Sequence, residues 1–123
     1  PEILEQYAPD DLAARDRVLQ HQMQKAAYQL TQQRAAAEDK IPGAATFATS
    51  TFKYLSTRLE SAGLDTTIAL MGSQGMGWEG DNFTEHELET TREMLLSKGF
   101  LIAGGSSEVQ LNIIAKRVLG LPD

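Results

Sequence analysis

Hydrophobic positions recur three and four residues apart through most of the chain, and no stretch alternates with period two. The pattern predicts helices and no sheet. Leu12, Leu19, Met23, Ala26, Leu30 and Ala37 share one stripe of a first helix predicted over residues 10–39, with Gln and Arg on a polar opposite face. Pro9 biases the residue before it away from helix, and Asp10 or Asp11 can cap the free amides. Ile41, Pro42 and Gly43 break this helix. A second helix, residues 44–71, carries Ala45, Ala48, Phe52, Leu55, Leu59, Ala62 and Thr66 at alternating three- and four-residue steps. Gly63 inside it predicts a close helix crossing or a mild bend, and Gly72 suits a left-handed C-terminal residue.

The glycine-rich stretch 72–83 predicts a backbone that turns tightly or lies against a ligand. Thr84 with Glu87 forms a capping box that opens a third helix. Leu88, Leu95 and Leu96 are its expected buried side, and Gly99 its expected end. Ser107 to Gln110 reads as a second capping box, opening a last helix through Val109, Ile113 and Ile114 that Gly120 and Pro122 stop. The expected fold is all-α: an antiparallel helical bundle of two long helices followed by two shorter ones.

The chain has 123 residues, one small domain's worth, and a formal net charge of -6. An acidic chain repels phosphate backbones, so no nucleic-acid partner is expected. No apolar run approaches the roughly 18 residues of a membrane span. The absence of cysteine excludes disulfides, thiolate zinc sites and a cysteine nucleophile. Cytoplasm is the expected location, with the mitochondrial matrix as the alternative.

Little chemistry is visible by motif alone. The Gly72-Ser73-Gln74-Gly75 turn lacks the Lys-Ser/Thr of a phosphate loop, and no strand precedes it as a dinucleotide fingerprint requires. His21 and His86 have no metal spacing and read as surface residues. The acidic group of Glu79, Asp81, Glu85, Glu87 and Glu89 reads as charge compensation at a helix N-terminus, and Trp78 as a packing anchor.

The segment GGSSEVQLNIIAKRVLGLP, residues 104–122, closely resembles the C-terminal segment of acyl-CoA dehydrogenases, where the pattern is Gly-Thr-Ser-Glu-Ile-Gln-Arg-Asn-Ile-Ile-Ala, often ending Val-Leu-Gly-Leu-Pro. Residues 70–75, followed by Trp78-Glu79-Gly80, resemble the family's Gly-Gly-x-Gly segment at the same distance upstream. The resemblance covers nearly the whole chain, most specifically residues 52–122. It implies the helical C-terminal domain of an FAD-dependent enzyme, in which a base takes the α proton of an acyl-CoA thioester and FAD takes the β hydride. Residues 1–123 would then be part of that domain. The N-terminal helical and middle β domains have no counterpart here, so the chain is expected to be inert in isolation. The alternative is a non-catalytic subunit or assembly module paired with a catalytic partner. Acyl-CoA as substrate and a homo- or hetero-oligomer are implied as well.

The resemblance also assigns residues. Gly104 occupies the position of the usual glutamate base, which leaves the base to an earlier helix or to a partner subunit. Its backbone amide would still hydrogen-bond the thioester carbonyl. Ser106 and Glu108 match the flavin-contacting positions. Ala69, Gly72 and Ser73 lie in the part that reaches FAD held by a neighbouring subunit, although Ala69 stands where Gln is common and Ser73 where Gly is common. No metal is implied.

Overall fold

The computed structural model describes residues 2–41 and 49–122. It is helical throughout, with no strand among the described residues. The helices are α1 (Glu2–Tyr7), α2 (Leu12–Glu38), α3 (Thr49–Met71), α4 (Glu85–Phe100) and α5 (Ser107–Ile113). A short 3-10 turn, Gly72–Met76, follows α3, and a π-helical turn, Ile114–Val118, follows α5.

α3 is the central element: α2 and α4 pack along it, α5 lies on it, and α1 touches it. Tyr28 meets Phe52 edge-on at 5.8 Å. His21 meets Gly63. These pairs run in opposite directions, so α2 and α3 are antiparallel. Lys98 on α4 binds Ser61 and Asp65 of α3, while Lys53 binds the end of α4, so α3 and α4 are antiparallel too. The expected all-α antiparallel bundle is the observed architecture.

Several starts and stops follow the expected chemistry. Asp11 caps α2, its carboxylate accepting from the Ala14 amide at 2.8 Å. Thr84 and Glu87 form the capping box of α4. Gly72 and Gly120 take left-handed φ values of 57° and 64° at helix ends. α3 runs unbroken through Gly63, and the close crossing expected there is real: a Cβ on Gly63 would stand 2.7 Å from His21 Nε2. The helix start at Ala44, with Ala45 and Ala48 on its stripe, and the break at Pro42 and Gly43 lie outside the described residues.

Which face is buried differs from expectation. In α2 the residues against the molecule are Ala14, Val18, His21, Tyr28, Thr31 and Ala35. The predicted stripe faces outward, with Leu12 77% and Leu30 64% exposed. His21 therefore sits at the α2–α3 crossing rather than on the surface. α4 behaves alike in part: Leu88 is half-buried, but Leu95 and Leu96 are exposed, and the buried set is Glu87, Thr90, Thr91 and Ser97. The physical reason is distance. Small side chains let helix axes approach closely, and threonine and serine hydroxyls satisfy themselves on backbone carbonyls of their own helix, as Thr90 does on His86. Thr91 adds a bond to the Gly75 carbonyl in the neighbouring turn.

Three smaller corrections concern local structure. α1 has no predicted counterpart. α4 passes Gly99 and ends at Phe100. The box expected over 107–110 does not form: Ser106 is the N-cap of α5, and Gln110 instead donates to the Gly104 carbonyl at 3.1 Å.

Candidate functional site

The turn between α4 and α5 is built from two successive left-handed glycines, Gly104 at φ 71° and Gly105 at φ 106°. Gly105 has no room for a side chain, because a Cβ would stand 2.8 Å from Gln110 Nε2. Gly104 is different. It is exposed, and the one atom near its would-be Cβ is Lys53 Cε at 3.7 Å. Its carbonyl is held by Gln110. Its N–H donates to no described residue, since the turn's other bonds run from Ile102 and Ala103 to Gly99 and from Gly105 to Ile102. The turn thus leaves a backbone donor without a described acceptor at an exposed residue that has no side chain.

Ser106 and Glu108 follow directly. The Ser106 hydroxyl first, then the residue's own amide and the nearby Arg58 guanidinium, hold Glu108 below its ordinary value. Arg58 also stacks over Tyr54 at 5.3 Å. It borders a groove of about 480 Å³ between α2 and α3, floored by Leu55, Leu59 and Ala62 and rimmed by Tyr28 and Thr31.

Ala69, Gly72 and Ser73 stand at the other end of α3, all exposed. Nothing lies within 4 Å of a Cβ placed on Gly72. Gln74 Oε1, in the same turn, is a buried acceptor without a hydrogen-bond partner among the described residues. The turn's other glycines lie against the protein itself: a Cβ on Gly75 would meet the Ile68 carbonyl at 2.9 Å, and one on Gly77 the Phe83 ring at 2.5 Å. At 1.5 Å rise per residue, the seventeen positions from Lys53 to Leu70 put the two clusters about 25 Å apart. The fold therefore brings Gly104, Ser106 and Glu108 together and keeps Ala69, Gly72 and Ser73 away from them.

Other sequence candidates have structural roles. Glu87 accepts from the Thr84 amide and from the Tyr7 hydroxyl, both at 2.7 Å. These bonds hold Glu87 below its ordinary value, the Thr84 amide first, and hold Tyr7 above its own. Trp78 is 56% exposed rather than an anchor, and the Arg92 guanidinium lies over it at 5.5 Å. His86 is exposed. No metal-binding cluster occurs among the described residues, and none of their helices is long and apolar enough to cross a membrane.

Sequence reasoning missed Lys53, Gln74 and Arg58. Lys53 and Arg58 act on groups distant in sequence, and the burial of Gln74 Oε1 follows from packing, so no local motif marks any of them.

The family model "Acyl-CoA dehydrogenase, C-terminal domain" matches residues 7–119. The chain belongs to the acyl-CoA dehydrogenase family. Among curated relatives, acyl-CoA dehydrogenase IpdE1 of Mycolicibacterium smegmatis is 45% identical over 53 residues, which is 43% of this chain and 12% of that protein. The chain thus spans a small part of this relative's length. No solved structure matches it.

Proposed function

We propose that this chain is the C-terminal helical domain of an FAD-dependent acyl-CoA dehydrogenase that removes hydrogens from the α and β carbons of an acyl-CoA thioester. The family match supports the class, and the open Gly104 N–H carries the mechanistic reading. When bound, FAD supplies the acceptor for the β hydride. The donor set fits such a group. Gln74 Oε1 lacks a donor that a ribose hydroxyl or adenine amine offers, and the backbone at Gly72 and Gly104 is uncovered. Ser106 and Glu108 would border the flavin. The 25 Å separation favours Ala69, Gly72, Ser73 and Gln74 serving cofactor held by another subunit, which implies an oligomer.

Gly104 would donate its N–H to the thioester carbonyl. A fixed donor aimed at developing negative charge acidifies the α proton. Gly104 provides no carboxylate, so the base comes from outside this turn, and the isolated chain is inert.

The test is flavin reduction by an acyl-CoA in the intact protein, wild type against Gly104→Glu. The left-handed backbone costs any side chain there about 1–2 kcal/mol, but no neighbour closer than 3.7 Å blocks it. Fast wild-type reduction that the substitution obstructs supports a base upstream in the same protein. A gain of about 10²–10⁴-fold supports a subunit that lost its base and pairs with a catalytic partner. Absence of flavin in both forms would sink the assignment of Ser106 and Glu108.

A further inference from the structure

Lys53 has no role in the chemistry above, yet its side chain reaches the turn that presents Gly104. Its Nζ donates to the Phe100 carbonyl at 2.9 Å and, at a longer 3.5 Å, to the Gly105 carbonyl. Its Cε lies 3.7 Å from where a Gly104 Cβ would stand. One cation on α3 thus spans the turn from its first residue to its last.

Two features make that anchor matter. The final carbonyls of a helix have no amide of their own helix to accept from. Here Ala103 donates to Gly99 and Gly105 to Ile102, so the Phe100 carbonyl depends on Lys53. A cation at a helix C-terminus also complements the helix dipole. Second, consecutive left-handed glycines have wide conformational freedom and no side chains with which to hold themselves. Gln110 fixes the Gly104 carbonyl. Lys53 fixes the flanking carbonyls, and together they set where the Gly104 N–H points.

We propose that Lys53 is the positioning residue of the Gly104 turn, tying the end of α4 to Gly105 so that the Gly104 N–H keeps one fixed direction. Its consequence for turnover rests on the function proposed above; its structural content does not. The intact protein is compared as wild type, Lys53→Met and Lys53→Arg by amide hydrogen exchange and by flavin reduction with an acyl-CoA. Lys53→Met is expected to speed exchange across residues 101–106 about tenfold or more while α3 and α4 keep wild-type protection. Lys53→Arg, which keeps the cation, is expected to restore most of it. Reduction per bound flavin should fall about 10²-fold in Lys53→Met, because small misplacements of a catalytic donor cost on that order, with flavin content unchanged. Unchanged exchange overturns the proposal. So does protection lost evenly over α3 and α4, or a Met variant that does not fold, since either marks a packing residue. A looser turn with an unchanged rate overturns the link to turnover. A wild type that neither holds nor reduces flavin defeats the proposed function instead, and the exchange readout still decides Lys53.

Discussion

At the residue scale, hydrogen-bonded groups carry the clearest predictions. Glu87 is held below its ordinary value of 4.5 by the Thr84 amide and the Tyr7 hydroxyl. A carboxyl depressed on folding contributes stability that is complete above the unfolded value and disappears as pH falls through the folded one. Wild type should therefore lose stability below about pH 4.5 more steeply than Glu87→Gln, whose acid limb should flatten. Thermal melts between pH 7 and pH 3 measure this, and parallel limbs would contradict it. Gly75 offers a steric test. A Cβ there meets the Ile68 carbonyl at 2.9 Å, and a helix backbone atom cannot swing aside as a side-chain tip can. Gly75→Ala should cost about 1–3 kcal/mol in urea unfolding, the usual penalty of overpacking. The Thr84–Glu87 box was legible because both partners lie within one turn. The Tyr7 bond to Glu87 spans 80 positions and was not.

Among the elements, periodicity located the helices but misplaced the buried face of α2 and most of that of α4, while Phe52, Leu55, Leu59 and Thr66 of the α3 stripe are half-buried as expected. α2 presents Ala14 and Ala35 to its neighbours and turns Leu12, Leu19, Met23 and Leu30 away. The expected hierarchy of substitutions is thereby inverted. Ala14→Leu or Ala35→Leu should destabilise by about 1–3 kcal/mol by forcing the helices apart. Leu19→Gln or Leu30→Gln should stay within about 0.5 kcal/mol in the isolated chain, as for other exposed positions. Denaturant midpoints of the four variants decide it. A leucine that costs more than an alanine would restore the pattern predicted from the sequence. The Gly63 crossing is the counterexample, where sequence and packing agree: a helix-interior glycine costs about 1 kcal/mol relative to Ala, and His21 occupies the space it opens.

For the whole molecule, the uncovered stripes are the main fact. Leu12, Leu19, Met23 and Leu30 on α2, and Leu95 and Leu96 on α4, are all about half exposed or more. Large exposed apolar side chains gathered along a helix favour association. The isolated chain should self-associate with concentration in sedimentation, and Leu19→Gln with Leu30→Gln should weaken that. A clean monomer at high concentration, with no binding of a hydrophobic dye, would contradict it. The four helices α2 to α5, most of their boundaries, the caps at Asp11 and Thr84 and the glycine-ended turns were readable from order alone, whereas α1 was not. They arise from local forces: spacing on a helix surface, a side chain reaching an amide three residues on, a left-handed φ that glycine adopts freely. The family, too, was readable, from the motif at residues 104–122. Which face of α2 is buried, the use of Lys53 to hold Gly104, and the separation of Gly72 from Gly104 required the packed molecule. Each depends on which helix lies beside which. An apolar stripe states that a face prefers to leave water; it does not name the neighbour that will cover it.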